Sequence, residues 1–367
     1  MKQLLYEQVM LDIEKKIISG DYPLQTRLPS EKELADYYQV SAITIKRALT
    51  ELKDLGYLSR KPREGTIVVS EKKVAKEIPI RTNLPLIGAV VTNFTDVFGT
   101  HILNGLLEEE DTNTNIILKK SLGDAKKEER LIKELIDLQI DGLILLPSTS
   151  QYLSPTILEL ASNQFPMVVI DRTLDNLPIS SITTDNRASA NLLTSYLIEL
   201  GHQHIGILSS SNVVSSANDR LQGYIQAHAA LQVTMDDSLN QNIIESVIPD
   251  SQVPISQDIE AIIDFIKDHP KMTAIIATEY NIAVLARKAC YLLGKKVPED
   301  LSIACFDHPD NHFDDLAFTY THIKQQQEKM GRACVNVLLE QIDQPENVTK
   351  TLISGELVIG DSTAKLN

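Results

Sequence analysis

Charged and polar residues directly follow several short apolar runs in the long C-terminal part of the chain. Asp171 and Arg172 follow one run, Thr278 and Glu279 follow another, and Asp307 follows a third. Carboxylate and guanidinium groups form paired hydrogen bonds with adjacent hydroxyls, so this set is typical of a site for a polyhydroxylated small molecule. A single aspartate at such a position is more often a helix N-cap. The functional interpretation therefore depends on the whole set.

Hydroxyl and basic side chains form a second set near the N-terminus. Thr44, Lys46 and Arg47 lie at the start of a predicted helix, on the face opposite its apolar residues. That apolar face repeats at helical spacing: Ile45, Ala48, Leu49, Leu52 and Leu55. Side chains in the first turn of such a helix reach base edges in a DNA major groove. The spacing predicts a recognition helix over residues 43–55.

Neighbouring elements must hold that helix in place. A first helix is predicted from apolar residues at four-residue spacing: Leu5, Val9, Ile13 and Ile17. Ser30 and Glu33 form a capping box that opens a second helix, and residues 39–41 form the turn after it. Residues 57–69 predict two short strands joined by a basic hairpin. This order predicts a winged helix-turn-helix DNA-binding domain over residues 1–70.

Residues 28–69 resemble the GntR family of bacterial repressors through LPSEKELA, VSAITIKRALTELKDLGYL and REGTIVV. The resemblance implies a DNA-contacting set on the second helix, the third helix and the wing: Lys32, Ser41, Thr44, Lys46, Arg63, Gly65 and Thr66. Ala42 stands where the family often has an arginine, and its short side chain suits contact with a thymine methyl. Arg47 and Lys61 are further basic residues expected to face DNA.

The charge distribution divides the chain at the same place. Residues 1–76 hold 14 Lys and Arg against 11 Asp and Glu, a net charge of +3, and the remainder holds 21 against 39, a net charge of −18. An acidic body repels DNA, so only the N-terminal part is expected to bind it. No apolar run approaches the ~18 residues of a membrane span. We therefore expect a cytoplasmic protein without a membrane partner.

From residue 85 onward, aliphatic runs alternate with helical segments. The predicted strands are 87–91, 116–119, 142–146, 167–170, 205–209, 242–245, 274–277 and 302–306. The predicted helices between them are 101–110, 128–138, 187–200, 259–268 and 282–293. This pattern predicts an α/β fold with parallel sheets. Its length suits two lobes over residues 85–367, with 71–84 as a polar linker.

This region resembles the effector domain of LacI-type repressors, which share the two-lobed periplasmic sugar-binding fold. The matching segments are 168–210, NDRLQGY (218–224), TAIIAT (273–278), VPEDLSIACFDH (297–308) and IKQQQEKMGRACVNVLL (323–339). The resemblance implies a ligand-binding set: Thr95, Asp96, Phe98, Asp171, Arg172, Arg220, Thr278, Glu279, Tyr280, Asp307 and Gln325. Gln327 stands where an aromatic residue often stacks on the sugar, so stacking is expected from Phe98 or Tyr280 instead.

The combination implies a repressor that binds operator DNA as a homodimer. A small sugar releases it, and L-arabinose is the expected effector because arabinose-responsive repressors share this arrangement. Other pentoses, hexoses, a purine-type corepressor and a non-regulatory sugar-binding protein stay open as alternatives.

An enzyme is disfavoured, since Cys305 lies in an apolar strand beside Asp307 and His308 and points away from them. His202 and His204 are expected to be exposed and inert. No paired spacing of Cys290, Cys305 and Cys334 predicts a metal site, and no cofactor is expected.

Overall fold

The computed structural model describes residues 5–61, 65–70, 84–95, 97–150, 153–174, 177–212, 214–310 and 316–366. The chain divides into two compact units, Met1–Asn83 and Leu84–Asn367. Every helix within the described ranges is too short or too polar to cross a lipid bilayer.

The described part of the first unit has three helices and a two-stranded hairpin. In chain order these are α1 (Leu5–Ile18), α2 (Glu31–Tyr38), α3 (Ala42–Asp54), β1 (Leu58–Lys61) and β2 (Gly65–Val68). The strands pair antiparallel, with Leu58 opposite Val68. The helices and the hairpin share one apolar core, which includes Val9, Ile13, Ile17, Leu34, Ile45, Leu49, Leu52 and Val68. The predicted winged helix-turn-helix is confirmed.

Local hydrogen bonds explain where α2 begins and ends. The Glu33 carboxylate accepts from the Ser30 N–H at 2.7 Å, and Ser30 Oγ accepts from the Glu33 N–H at 3.3 Å, which is the predicted capping box. Gln39 ends the helix in the left-handed conformation, at φ 53°. Leu5, the first residue of α1, is 62% exposed. The later members of that apolar face are buried.

The second unit has two lobes, each with a six-stranded sheet packed by helices. The first lobe begins with β3 (Leu86–Val91), α4 (Thr100–Asn113), β4 (Asn115–Lys120), α5 (Ala125–Asp137), β5 (Gly142–Leu145), α6 (Pro155–Ser162), β6 (Met167–Ile170) and β7 (Ser180–Thr184). The second lobe follows with α7 (Asn186–Glu199), β8 (Ile205–Ser210), α8 (Ser215–Ala230), β9 (Asn240–Ile244), α9 (Ile255–Asp268), β10 (Ala274–Ala277), α10 (Tyr280–Leu292), β11 (Ser302–Phe306) and β12 (Thr321–Lys324). Three elements remain: α11 (Gln327–Asp343), β13 (Lys350–Ile353) and β14 (Glu356–Val358).

The two sheets repeat one strand order. The first is β13-β7-β6-β5-β3-β4 and the second is β14-β12-β11-β10-β8-β9. Neighbouring strands are parallel, except that β14 runs antiparallel to β12. The chain passes between lobes after β7, after β12 and between β13 and β14. The predicted α/β architecture with two lobes is confirmed, and the carboxyl ends of its parallel strands face a common cleft.

Strands with polar sequences escaped prediction. Residues 180–184 (SSITT) are a buried strand, but they lack the aliphatic run by which the other strands were identified. Residues 321–324, 350–353 and 356–358 were missed for the same reason. The expectation for His202 is wrong. Its ring is buried and bonds Thr273 Oγ1 and the Ala364 carbonyl, each at 3.0 Å.

Candidate ligand-binding site and DNA-contacting surface

The N-terminal end of α3 presents five of the ten residues predicted to contact DNA. Ser41 is the N-cap of this helix, and its hydroxyl accepts from the Thr44 N–H at 3.2 Å. Ala42 and Lys46 are exposed beside it. Backbone N–H groups at a helix N-terminus favour a phosphate, so this end is suited to phosphate and base contacts. Lys32 is exposed on α2.

Two side chains of this surface differ from what the sequence suggested. Ile43 is 80% exposed, although isoleucine is normally buried. Its position between Ala42 and Thr44 makes it a second apolar group suited to a thymine methyl. The Arg47 guanidinium lies 3.9 Å from the ring centroid of Tyr6, so a residue of α1 holds it in place.

The wing is described in part. Lys61 ends β1, Gly65 begins β2, and Arg63 lies outside the described residues. Gly65 has φ 86°, and a Cβ there would lie 2.5 Å from Arg27 Nε. The glycine therefore lets the Arg27 side chain pack against the hairpin beside Thr66. Arg27 is a basic residue next to the wing that sequence reasoning did not select.

Ten of the eleven predicted ligand-binding residues line one cavity of about 590 Å³ between the lobes: Thr95, Phe98, Asp171, Arg172, Arg220, Thr278, Glu279, Tyr280, Asp307 and Gln325. The eleventh, Asp96, lies outside the described residues. Further polar side chains that line the same cavity were not predicted: Ser210, Asn212, Ser216 and Ser246. Most of these residues also lie at the end of a strand or just after one. No residue type or spacing in these stretches distinguishes them as binding residues.

Asp171 and Asp307 face this cavity from equivalent strand ends, after β6 and β11. Both are buried, and both have left-handed backbone, at φ 65° and φ 62°. Their N–H groups continue the sheets, donating to Ile182 O and Ile323 O at 2.9 Å each. Non-glycine residues in this conformation cluster at ligand sites, because the surrounding structure must hold them there. Both residues line the cleft.

Arg220 is buried on α8 and is fixed on three sides. Its Nε donates to Asn186 Oδ1 at 2.7 Å, and its Nη1 donates to the Thr278 carbonyl at 2.5 Å. Its guanidinium lies 4.0 Å from the ring centroid of Phe306. Burial lowers the pKa of Arg220, while the charge of Asp307 raises it. The side chain is thus a preorganised cation that reaches the cleft from the second lobe.

Arg172 is held by the chain segment after β5. Its Nη1 donates to the carbonyls of Pro147 and Ser148, the latter at 3.0 Å. Ser148 is bonded in turn by the buried carboxylate of Glu128, which accepts from its N–H and its hydroxyl at 2.6 Å each. Arg172 Nε is buried without a hydrogen-bond partner and lies 3.8 Å from Asp171 Oδ2.

Two glutamines of the crossing after β12 connect the lobes. Gln325 accepts from Thr184 Oγ1 at 2.6 Å and donates to Asp307 Oδ2 at 2.7 Å. Gln327 accepts from the Gly99 N–H and donates to Val97 O, each at 3.0 Å, and also donates to Asp307 Oδ1 at 3.2 Å. Gln327, where no aromatic side chain is available to stack on a sugar, thus bridges the two lobes. Both lobes hold the Asp307 carboxylate.

Aromatic groups border the same cavity. Phe98 and Tyr280, the two residues expected to stack on a sugar, both line it. Tyr280 is packed edge-on against Tyr320 and His308, with ring centroids 5.7 and 5.2 Å away. These contacts fix the ring of Tyr280 at the start of α10.

The cavity holds both carboxyl and guanidinium groups, and these affect one another's pKa values. Burial raises the pKa of Glu279 to about 7 and that of Asp307 to about 6, while the charge of Arg220 lowers both. Burial also raises the pKa of Asp171, whereas the charges of Arg172 and Arg220 lower it. Hydroxyl groups of a ligand satisfy both carboxylates and guanidinium groups, so this mixture suits a neutral polyhydroxylated molecule.

Among the described residues, no cluster of His, Cys, Asp and Glu is arranged to hold a metal ion. Cys290, Cys305 and Cys334 are all buried, and burial raises the pKa of each thiol. Thiolates are the reactive form, so none of the three is a candidate nucleophile.

Comparison with known families gives two matches. Residues 5–68 match the family described as bacterial regulatory proteins, gntR family. Residues 194–363 match the periplasmic binding protein-like domain.

Related proteins agree with these matches. The chain is 26% identical to an arabinose metabolism transcriptional repressor of Geobacillus stearothermophilus, over 98% of both chains. It is 27% identical to a ribose operon repressor of Haemophilus influenzae, over 88% of this chain and 94% of the relative. The crystal structure of the transcription regulator CcpA of Lactococcus lactis matches 76% of this chain and 99% of its own, with a TM-score of 0.65 and 21% identity.

Proposed function

Since the chain joins a GntR-type helix-turn-helix domain to a periplasmic binding protein-like domain, we propose that it is a sugar-responsive transcriptional repressor. The first unit binds operator DNA as a homodimer, and a small sugar in the cleft releases it. The observation that carries the proposal is the cavity, where buried carboxylates and arginines from both lobes converge. The relatives named above are repressors, which supports regulation over catalysis.

L-Arabinose is the proposed effector. The arabinose repressor of Geobacillus stearothermophilus aligns over nearly the whole chain, its DNA-binding head included. D-Ribose is the main alternative, because the ribose operon repressor is equally similar over a shorter range. Other pentoses, hexoses and a purine-type corepressor are further alternatives for the effector. A non-regulatory sugar-binding protein is the last alternative for the function.

The expected switch is closure of the lobes on the sugar. A sugar that releases DNA must bind the DNA-incompetent state more tightly, and a coupling of ~1–3 kcal/mol lowers operator affinity by roughly 5–150-fold. Linkage then requires operator DNA to weaken sugar binding by the same factor.

The proposal is tested with an operator obtained by selecting the full-length protein on random duplex DNA. Affinity for that duplex is measured with and without saturating L-arabinose or D-ribose, and sugar affinity is measured with and without the duplex. We expect the sugar to lower the affinity for the duplex and the duplex to lower the affinity for the sugar by the same factor. Tighter DNA binding with a purine would indicate a corepressor, and a sugar that binds without any effect on DNA affinity would indicate a non-regulatory protein.

A further inference from the structure

The exposed side chains in the first turn of α3 are apolar. The structure describes all four residues of this turn, 42–45, and of these Ala42 and Ile43 are exposed, Thr44 is half-buried and Ile45 is buried. Ile43 is 80% exposed, so most of its side chain is in water. Neither exposed side chain holds a hydrogen-bond donor or acceptor. The part of a recognition helix that reaches base edges therefore presents two adjacent apolar groups in this protein.

The hydroxyl groups at this end of the helix bond to each other. Ser41 Oγ lies 2.9 Å from Thr44 Oγ1 and also accepts from the Thr44 N–H at 3.2 Å. One of the two hydroxyl hydrogens is used in this contact, so the pair keeps a single donor. That donor suits a phosphate oxygen beside the helix N-terminus, and phosphate contacts position a protein on DNA without reading its sequence directly.

Basic side chains surround the apolar pair. Lys46 and Arg47 are exposed three and four residues after Ile43, so they share its face of α3. Their charges attract the phosphates of a DNA duplex and bring this face against it. An exposed apolar side chain among cations fits a polyanion that carries an apolar group, rather than the apolar surface of another protein.

The major groove of DNA offers one such group. Guanine presents two acceptors there, cytosine a donor, and adenine one of each, whereas thymine presents a methyl group beside its acceptor. Ala42 and Ile43 cannot bond to the acceptors of guanine, and covering those acceptors without a donor is unfavourable. Burying a methyl group against an apolar side chain is favourable.

We propose that Ala42 and Ile43 read thymine methyl groups, so that the operator has thymine wherever the first turn of α3 meets the major groove. The inference rests on the proposed function, because it assumes that α3 is the DNA-reading helix. It assigns Ile43 as a specificity-determining residue. It also assigns to Ala42 the exclusion of guanine from the position that an arginine there would read.

Replacement of thymine by uracil tests the proposal with the full-length protein and its selected duplex. Uracil keeps the hydrogen-bonding groups of thymine and lacks only the methyl group. Fluorescence anisotropy measures the affinity for duplexes in which one thymine at a time is replaced. Loss of a methyl group that Ile43 contacts is expected to weaken binding about fourfold, which corresponds to ~0.8 kcal/mol for one buried carbon.

Variants assign the effect to a side chain. In Ile43→Ala, the loss at the contacted thymine should disappear, because the variant no longer covers its methyl group. Ile18→Ala is the matched control and should keep the loss, since Ile18 is 57% exposed at the last residue of α1, outside α3. Repeating the selection with Ala42→Arg is expected to exchange one thymine for guanine, which arginine bonds through two donors.

Unchanged affinity for every uracil duplex, or a loss that is equally large in Ile43→Ala, would overturn the inference and leave the proposed repressor standing. An unchanged selected sequence in Ala42→Arg would overturn the role assigned to Ala42. If the full-length protein enriched no duplex at all, DNA binding itself would be removed, and the inference with it.

Discussion

Asp171 and Asp307 are structural counterparts in the two lobes. Each follows the third strand of its sheet when counted from the end formed by β13 or β14, each has a φ near +60°, and each is buried. Arg220 acts electrostatically on both carboxyls. The repeated architecture thus places one carboxylate from each lobe beside one guanidinium. A ligand that bonds both carboxylates links the lobes, which is the arrangement that closure requires.

The affinity of the cavity for sugar should fall as the pH decreases from about 8 to about 5. Glu279 and Asp307 gain protons as the pH falls through their pKa values of about 7 and about 6. A neutral carboxyl is a weaker acceptor and loses its attraction to Arg220 and Arg172. Calorimetry across this range measures the effect. If the sugar affinity of Glu279→Gln and Asp307→Asn changed with pH as that of the wild type does, these two carboxyls would not be the source of the pH dependence.

Stability should change with pH in the opposite direction. Because the folded-state pKa values of both groups are raised above their unfolded values, the folded chain binds more protons at intermediate pH. The free energy of unfolding of the ligand-free protein should therefore gain from these two groups as the pH falls through about 7 and about 6. Urea titrations at several pH values measure the free energy of unfolding of the wild type and of Asp307→Asn. If this free energy changed with pH equally in both proteins, the result would argue against a raised pKa at Asp307.

Gln327→Ala should weaken sugar binding by removing contacts at the crossing after β12. The variant loses the bonds to Val97, Gly99 and Asp307. A hydrogen bond contributes ~0.5–1.5 kcal/mol, so a loss of roughly tenfold in sugar affinity is expected. Gln326→Ala is the matched control, since the three bonds to Val97, Gly99 and Asp307 are made by the Gln327 side chain and not by that of this neighbouring glutamine. Calorimetry in which the two variants behave alike would exclude the bridge as a determinant of binding.

Glu128 should act on ligand binding at a distance, through Ser148 and Arg172. Glu128→Ala leaves the Ser148 N–H and hydroxyl without their buried acceptor, and hydrogen bonds to a charged group are worth ~1.5–3 kcal/mol. Sugar affinity is expected to drop about tenfold or more, and Glu128→Gln should restore part of it because its amide oxygen still accepts. Equal losses in both variants would favour a general folding defect, which thermal unfolding measures independently.

Lys46→Ala should weaken specific operator binding by ~1–3 kcal/mol if its contact is to a base. Lys53→Ala on the same helix is the control, because Lys53 is an exposed lysine in the last turn of α3, away from the N-terminal end. Fluorescence anisotropy with the selected duplex, repeated at several salt concentrations, separates base from phosphate contacts. Similar losses in the two variants would place the DNA-reading surface elsewhere.

The sequence by itself determined the features that depend on neighbouring residues. The capping box of Ser30 and Glu33, the recognition helix after Ser41 and the strands ending before Asp171 and Asp307 all follow from short spacings. A polar residue directly after a buried parallel strand must lie at the cleft edge of the sheet, whichever strands are its neighbours. That is why Asp171, Thr278 and Asp307, each directly after a strand, lie together at the cavity.

Only the tertiary structure decided which distant groups meet. Gln327 lies 228 residues from its partner Gly99, and Ser148 lies 20 residues from Glu128, so no local pattern records either bond. The exposure of Ile43 and of Ile255 also depends on what packs nearby, since their apolar type alone predicts burial. Apolar spacing fixes the period of an element, but the contacts of each side chain depend on how the elements pack.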